Sequence, residues 1–189
     1  METMPVLEQL TARCKQAVAG DRAREDISAV MNALFEDPAT LAATIPRFRD
    51  DEVATSPRGF RLGGEHVCYQ SPNLTVMVLD TLPGVLQPPH DHNMVALIGV
   101  FEGCEEQRFW ARAEGGITPA AGRMLEAGEV VVLGERAIHA ISAPAHNPAR
   151  AIHVYLGNID GVDRSVFDPD TLEEHPMSSE RYDGYCRPA

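Results

Sequence analysis

Between Arg58 and Tyr155 the chain is cut into short runs rich in β-branched and aromatic residues, bounded by Gly and Pro: Thr75 to Leu79, Val95 to Phe101, Gln107 to Ala111, Val130 to Leu133 and Ala151 to Leu156. Runs of this length and composition read as strands. Their spacing leaves no room for alternating βα units, so the sheet they form is antiparallel and closes into a sandwich or barrel. No GxGxxG or Walker-type glycine loop follows any of them, which removes the usual phosphate cradle. A GxSxG elbow is missing as well, and nucleophilic hydrolase chemistry has no support.

The segments on either side differ in texture. Leu7, Leu10, Cys14 and Val18 recur at three- and four-residue steps, and Ile27, Val30, Met31 and Leu34 repeat the pattern after Asp26, which is read as an N-cap. A third short helix is predicted after Asp37-Pro38, ending before Pro46. Met31 and Phe35 read as core. The chain is thus expected to be one domain over 1–189, with a helical segment (1–50) packed on a barrel (58–157). A polar extension (158–189) is expected to lie over the barrel in extended segments with a frayed end. A chain of 189 residues buries roughly 70% of its unfolded surface, enough for a core without covalent staples.

Charge and cysteine usage narrow the partners. With 16 Lys and Arg against 28 Asp and Glu, and no basic cluster, nucleic acid and anionic membranes are not expected to bind. The N-terminus, acidic at Glu2, lacks the basic and apolar regions of a secretory signal, and no apolar run approaches the roughly 18 residues that cross a bilayer. Cys14, Cys68, Cys104 and Cys186 lie far apart without a CxxC pair and read as reduced thiols in a cytoplasmic protein, a monomer or homodimer. The acidic doublets Glu105-Glu106 and Glu173-Glu174 read as solvated faces.

The chemistry concentrates in histidine. His90 and His92 flank Asp91, and residues two apart on a strand point to one face, so both imidazoles can converge on one ion while Asp91 turns away to brace the loop. His139 stands in a second β-rich stretch that barrel closure can bring across to the pair. His153 and Tyr155 share a face of the Ala151-Ile152-His153-Val154-Tyr155 run. Neutral imidazole suits iron, copper, nickel or zinc, and three such ligands leave positions open for substrate and for oxygen or water.

Gly84, His90, His92 and Gly103, followed by Gly128 and His139, resemble the two motifs of the cupin superfamily. Ala96 stands where the first motif carries a Glu ligand, and Gly134 and Arg136 replace the inner Pro and Gly of the second. The resemblance implies a mainly β fold, a double-stranded β-helix (jelly-roll) barrel with N-terminal α-helices. Loss of the Glu makes the chain similar to the cysteine dioxygenase branch, the thiol dioxygenases, whose three His hold Fe(II). Another divalent metal such as Ni or Zn can occupy such a site in purified protein. His153 and Tyr155 match the hydrogen-bonded pair of that branch, with Ala151 at its Ser position, and no Cys stands where a thioether to Tyr155 would need one.

Within the branch, Tyr69-Gln70 and Arg164 resemble the bacterial 3-mercaptopropionate dioxygenases, where a Gln on an early strand and an Arg after the Tyr serve the substrate carboxylate. The resemblance implies oxidation of a small carboxylate-bearing thiol, 3-mercaptopropionate or cysteine, to its sulfinate with O2. His90, His92 and His139 would be the ligands, Tyr155 and His153 the catalytic pair, and Arg164, Gln70 and Tyr69 the substrate contacts. Other readings fit the cupin pattern too: a non-thiol dioxygenase, a metal-dependent isomerase, or a non-enzymatic small-molecule-binding cupin.

Overall fold

The computed structural model describes residues 4–144 and 146–189; Glu2 lies outside them. Helix α1 (Pro5–Ala17) places proline at its start, where its missing N–H costs nothing, and Glu8 in its first turn and Lys15 in its last are matched to the helix dipole. Helix α2 (Ala23–Leu34) has its N-cap position at Arg22 rather than at Asp26. Asp26 instead joins Glu25 in the first turn, where an acidic side chain is favoured without acting as a cap. Helix α3 (Pro38–Thr44) starts as expected: the Asp37 carboxylate accepts the Thr40 backbone N–H at 3.1 Å and the Thr40 hydroxyl at 2.7 Å. No helix among the described residues is long and apolar enough to cross a membrane.

A small ribbon of β1 (Ala54–Thr55) and β2 (Arg61–Gly63) leads into the barrel. One wall is a five-stranded antiparallel sheet built from β3 (Glu65–Ser71), β4 (Leu74–Thr81), β7 (Ala96–Glu102), β11 (Val130–Leu133) and β13 (Ala149–Tyr155), in the order β11-β7-β13-β4-β3. The facing wall runs β10-β8-β12-β6-β14-β15, from β10 (Arg123–Glu126) and β8 (Cys104–Ala113) through β12 (Ile138–Ser142) and β6 (His90–Asp91) to β14 (Ser165–Phe167) and β15 (Glu174–Pro176). Short strands β5 (Val85–Leu86), β9 (Gly116–Pro119) and β16 (Arg187–Pro188) extend it.

Strands β7 and β13 are buried along nearly their whole length because both faces are covered. Their outer residues, Leu97, Phe101, Ile152 and Val154, pack under Leu7, Leu10, Ile27, Met31 and Phe35 of the helices. Their inner residues, Ala96, Ile98, Val100 and Ala151, meet Leu125 and Leu133 inside the barrel. Gly99 makes the helix contact possible, since a Cβ there would lie 2.4 Å from the Phe35 ring. Gly103 turns β7 into β8 with φ +72°, and a Cβ on it would strike the Pro148 carbonyl.

Arg150 anchors the helices to this wall. Its side chain is fully buried, pairs with Asp80 and Glu102, donates to the carbonyls of Ile45 and Pro46, and lies 4.9 Å from the centre of the Phe101 ring. The C-terminal extension departs from the expected frayed covering. It supplies β14 and β15, then α4 (Ser179–Tyr185), and β16 pairs back onto β5 with Cys186 fully buried. The apolar positions responsible, Val166, Phe167 and Cys186, are too sparse to show as a periodic pattern.

Candidate metal centre

The register of the second sheet brings the histidines together. His139 on β12 pairs directly with His90 on β6, and His92 follows two residues on, facing the same interior. His92 Nε2 lies 3.2 Å from His90 Nε2 and 3.4 Å from His139 Nε2, and the three residues can offer nitrogens that all lie within 4.8 Å of one another. Metal–imidazole bonds of about 2.1 Å at tetrahedral or octahedral angles require neighbouring nitrogens roughly 3.0–3.4 Å apart. No carboxylate joins the set among the described residues, and Ala96 is a fully buried apolar residue of the inner wall.

The donor atoms are prepared for a cation. His90 Nδ1 lies 3.1 Å from the Pro88 carbonyl, which can only accept, so the proton sits on Nδ1 and the Nε2 lone pair faces inward. Burial holds His90 near a pKa of about 4 and pushes His92 and His139 well below the ordinary histidine value, so all three are neutral ligands at pH 7.

His139 is oriented by a chain the acidic doublet concealed. Its Nδ1 lies 2.7 Å from Gln107 Oε1, the Gln107 amide donates to Glu105 at 2.6 Å, and the Thr81 hydroxyl donates to the other Glu105 oxygen at 3.0 Å. Glu105 is therefore no solvated residue: it is fully buried, and burial pushes its carboxyl up to about 7. Residues alternate along β8, so Glu105 and Gln107 face in while Glu106 faces out to Arg108. When Glu105 is ionised it accepts one Gln107 amide proton. That turns Gln107 Oε1 toward His139 and fixes its tautomer with Nε2 free. A Gln107→Leu variant is expected to bind Co(II) roughly 10- to 100-fold more weakly by chelator competition; unchanged affinity would remove this role.

A cavity of about 390 Å³ opens over the three imidazoles, and His153, Tyr155 and Arg164 also line it. His153 Nδ1 and the Tyr155 hydroxyl are 2.9 Å apart, as the shared strand face predicts. His153 Nε2 has no partner among the described residues, and Ala151, two residues earlier on the same face, offers no hydroxyl. Burial drives His153 down to about 3 and raises Tyr155 far above the usual phenol, so both are neutral hydrogen-bonding groups. Arg164 makes no ion pair or side-chain hydrogen bond to the described residues, yet its charge is felt by His90, His92 and Tyr155 and by the Glu65 carboxyl on the same cavity, which burial pushes up and Arg164 holds down.

Two predicted contacts do not reach the cavity. A bulge at Cys68 lets Val67 pair with Met77 and Tyr69 with Val76, so Tyr69 turns to the outer, helix-covered face and lies under the Lys15 ammonium at 4.6 Å. Gln70 sits exposed at the strand end, donating to Asn158 at 2.8 Å and Asp160 at 2.9 Å. A residue that the sequence reading missed takes a place there instead. Tyr182 of α4 reaches the cavity, its ring 5.2 Å from that of His90 and its hydroxyl donating to Gln87. A tyrosine in a short polar helix carries no sequence signal for this. Asp91 does turn away as expected, accepting from Arg112 and from the Ser165 backbone, each at 2.7 Å.

No family model matches the chain. Among solved structures, the DMSP lyase DddQ from Ruegeria pomeroyi DSS-3 is similar over 86% of this chain and 96% of its own, with a TM-score of 0.50 and 16% identity. A protein of unknown function with a cupin-like fold from Ralstonia eutropha JMP134 is similar over 70% of this chain and 75% of its own, with a TM-score of 0.48 and 17% identity. An oxalate oxidase in complex with glycolate is 20% identical over 45% of this chain, with a TM-score of 0.40, and this chain matches 42% of its length. The near-complete overlap with the lyase agrees with the strand order: the chain has the cupin fold, a mainly β jelly roll with N-terminal helices, and three histidines placed to hold a divalent metal.

Proposed function

We propose that the protein is an Fe(II)-dependent thiol dioxygenase that converts a small carboxylate-bearing thiol, 3-mercaptopropionate or cysteine, to the sulfinate. The observation that carries this reading is a carboxylate-free three-imidazole face sharing one cavity with an Arg164 guanidinium that forms no ion pair at contact distance with the described residues, although Glu65 on the same cavity feels its charge. Three protein ligands would leave positions at an ion open for other donors, and a guanidinium without a contact partner in the same cavity suits an anionic group on the same small molecule. Fe(II) held by His90, His92 and His139 would supply a Lewis-acidic charge that favours the deprotonated thiol and a redox centre for O2.

The protein's own groups do the rest. Arg164 holds the substrate carboxylate with a planar fork of N–H donors. Tyr155 offers a neutral hydroxyl toward the cavity, and His153 fixes its direction. Met77, Leu79 and Ile159 give one part of the cavity wall an apolar face, while Glu65, Asp160 and Asp183 line another. The overall reaction, RSH plus O2 giving RSO2H, takes four electrons from sulfur and places both oxygen atoms on it, so no external reductant is needed.

Oxygen uptake by Fe(II)-loaded protein is the test, with 3-mercaptopropionate, cysteine and cysteamine as substrates. Stoichiometric uptake with formation of sulfinate from a carboxylate thiol is expected. Arg164→Ala should raise KM for that thiol by about 10- to 100-fold, the loss of one charge-assisted contact, and change cysteamine far less. Uptake with non-thiol substrates alone would assign a different metal-dependent activity. Failure to retain any transition metal would assign a small-molecule-binding role.

A further inference from the structure

The four residues His90-Asp91-His92-Asn93 alternate in direction. The two imidazoles face the cavity, while Asp91 and Asn93 turn outward and grip the chain on either side of Arg164. Asp91 accepts the Ser165 backbone N–H at 2.7 Å, and the Asn93 amide donates to the Asp163 carbonyl at 2.7 Å. Arg112 joins Asp91 to Glu174 with contacts of 2.7 and 2.6 Å, and Glu174 in turn accepts the Ser165 hydroxyl at 2.5 Å. Val166 pairs with His90 across the sheet. Asn93 takes φ +50°, a left-handed conformation that Asn tolerates better than most residues and that aims its side chain back at the 163–165 segment.

From this geometry we infer that Asp91 and Asn93 are positioning residues that fix the distance between the cation site and the Arg164 clamp, and thereby the length of thiol acid accepted. The inference rests on the functional reading above. A thiol acid bound through sulfur at one end and carboxylate at the other must span a separation that the protein sets. The two side chains that set it are interleaved with two of the metal ligands. If they are loosened, the clamp is free to shift relative to the imidazoles while the imidazoles stay in place. A loss of general stability would weaken every thiol acid alike; a loosened clamp changes the ranking among them.

The test compares mercaptoacetate, 3-mercaptopropionate and 4-mercaptobutyrate in steady-state kinetics and in anaerobic titration of the Co(II)-loaded protein, followed by thiolate-to-metal absorption. The wild type should favour one chain length. Asn93→Gly, which keeps the left-handed backbone and removes the amide, should flatten that preference by about three- to tenfold through KM and Kd, with kcat little changed and full metal content. Asp91→Ala should flatten it further, and Asp91→Asn, which keeps an acceptor for Ser165, should restore it. A uniform loss across the three thiols, no change, or loss of the metal would overturn the inference. Should Asp91→Ala fail to fold, Asn93→Gly decides alone. A wild type that does not prefer carboxylate thiols over cysteamine would instead overturn the functional reading.

Discussion

His139→Ala is expected to lose the metal. Structural sites with four ligands bind zinc with roughly 10–16 kcal/mol, or about 2.5–4 kcal/mol per ligand, so removing one ligand from three should weaken Co(II) or Fe(II) binding by roughly a hundred- to a thousandfold. The barrel should stay folded, because the His139 backbone is paired on both sides, to His90 and to Phe109, and the strand does not depend on the ring. Metal titration by isothermal calorimetry beside far-UV circular dichroism separates the two effects. Stoichiometric metal binding by the variant would mean that the third ligand lies elsewhere.

Arg150→Ala should have the largest effect on stability, with none of its consequences arising at the metal. The guanidinium is wholly inside the protein, and its removal strands Asp80 in a site where burial already pushes the carboxyl up and Arg150 holds it down. It also deprives the Ile45 and Pro46 carbonyls of a donor just past the end of α3. Breaking a buried pair from one side costs about 3–5 kcal/mol, a large share of the 5–15 kcal/mol that holds a typical domain together. The melting temperature should fall by on the order of 10 °C. A change below about 1 kcal/mol in denaturant unfolding would show that water or a neighbouring group takes over the role.

These two arginines mark what a sequence does and does not display. Arg164 is legible by its distance from a strand carrying His153 and Tyr155, and the structure places it on the same cavity. Arg150 sits one residue before that run and gives no local sign that α3 and two carboxylates will enclose it. The histidines are legible because a two-residue period on a strand is a local property, and His139 follows once the strands close into a barrel. Helix α3 is legible through Asp37-Pro38.

The rest depends on geometry that residue letters do not encode. Glu105 and Glu106 are the same residue type, and only the orientation of β8 decides that one is buried beneath the metal centre while the other meets solvent and Arg108. The bulge at Cys68 adds one residue to β3 and turns Tyr69 from the cavity to the helices, which no count from the strand start can anticipate. Tyr182 arrives from the far end of the chain through a helix that packs by shape, not by an apolar stripe.

In the proposed centre one cation is held by three imidazoles and by no acidic side chain. Anomalous diffraction at the iron edge from crystals of Fe(II)-loaded protein tests it directly. A single peak is expected about 2.1 Å from the Nε2 atoms of His90, His92 and His139, with water or substrate completing the shell. A peak elsewhere, or a carboxylate oxygen within bonding distance of the ion, would contradict it.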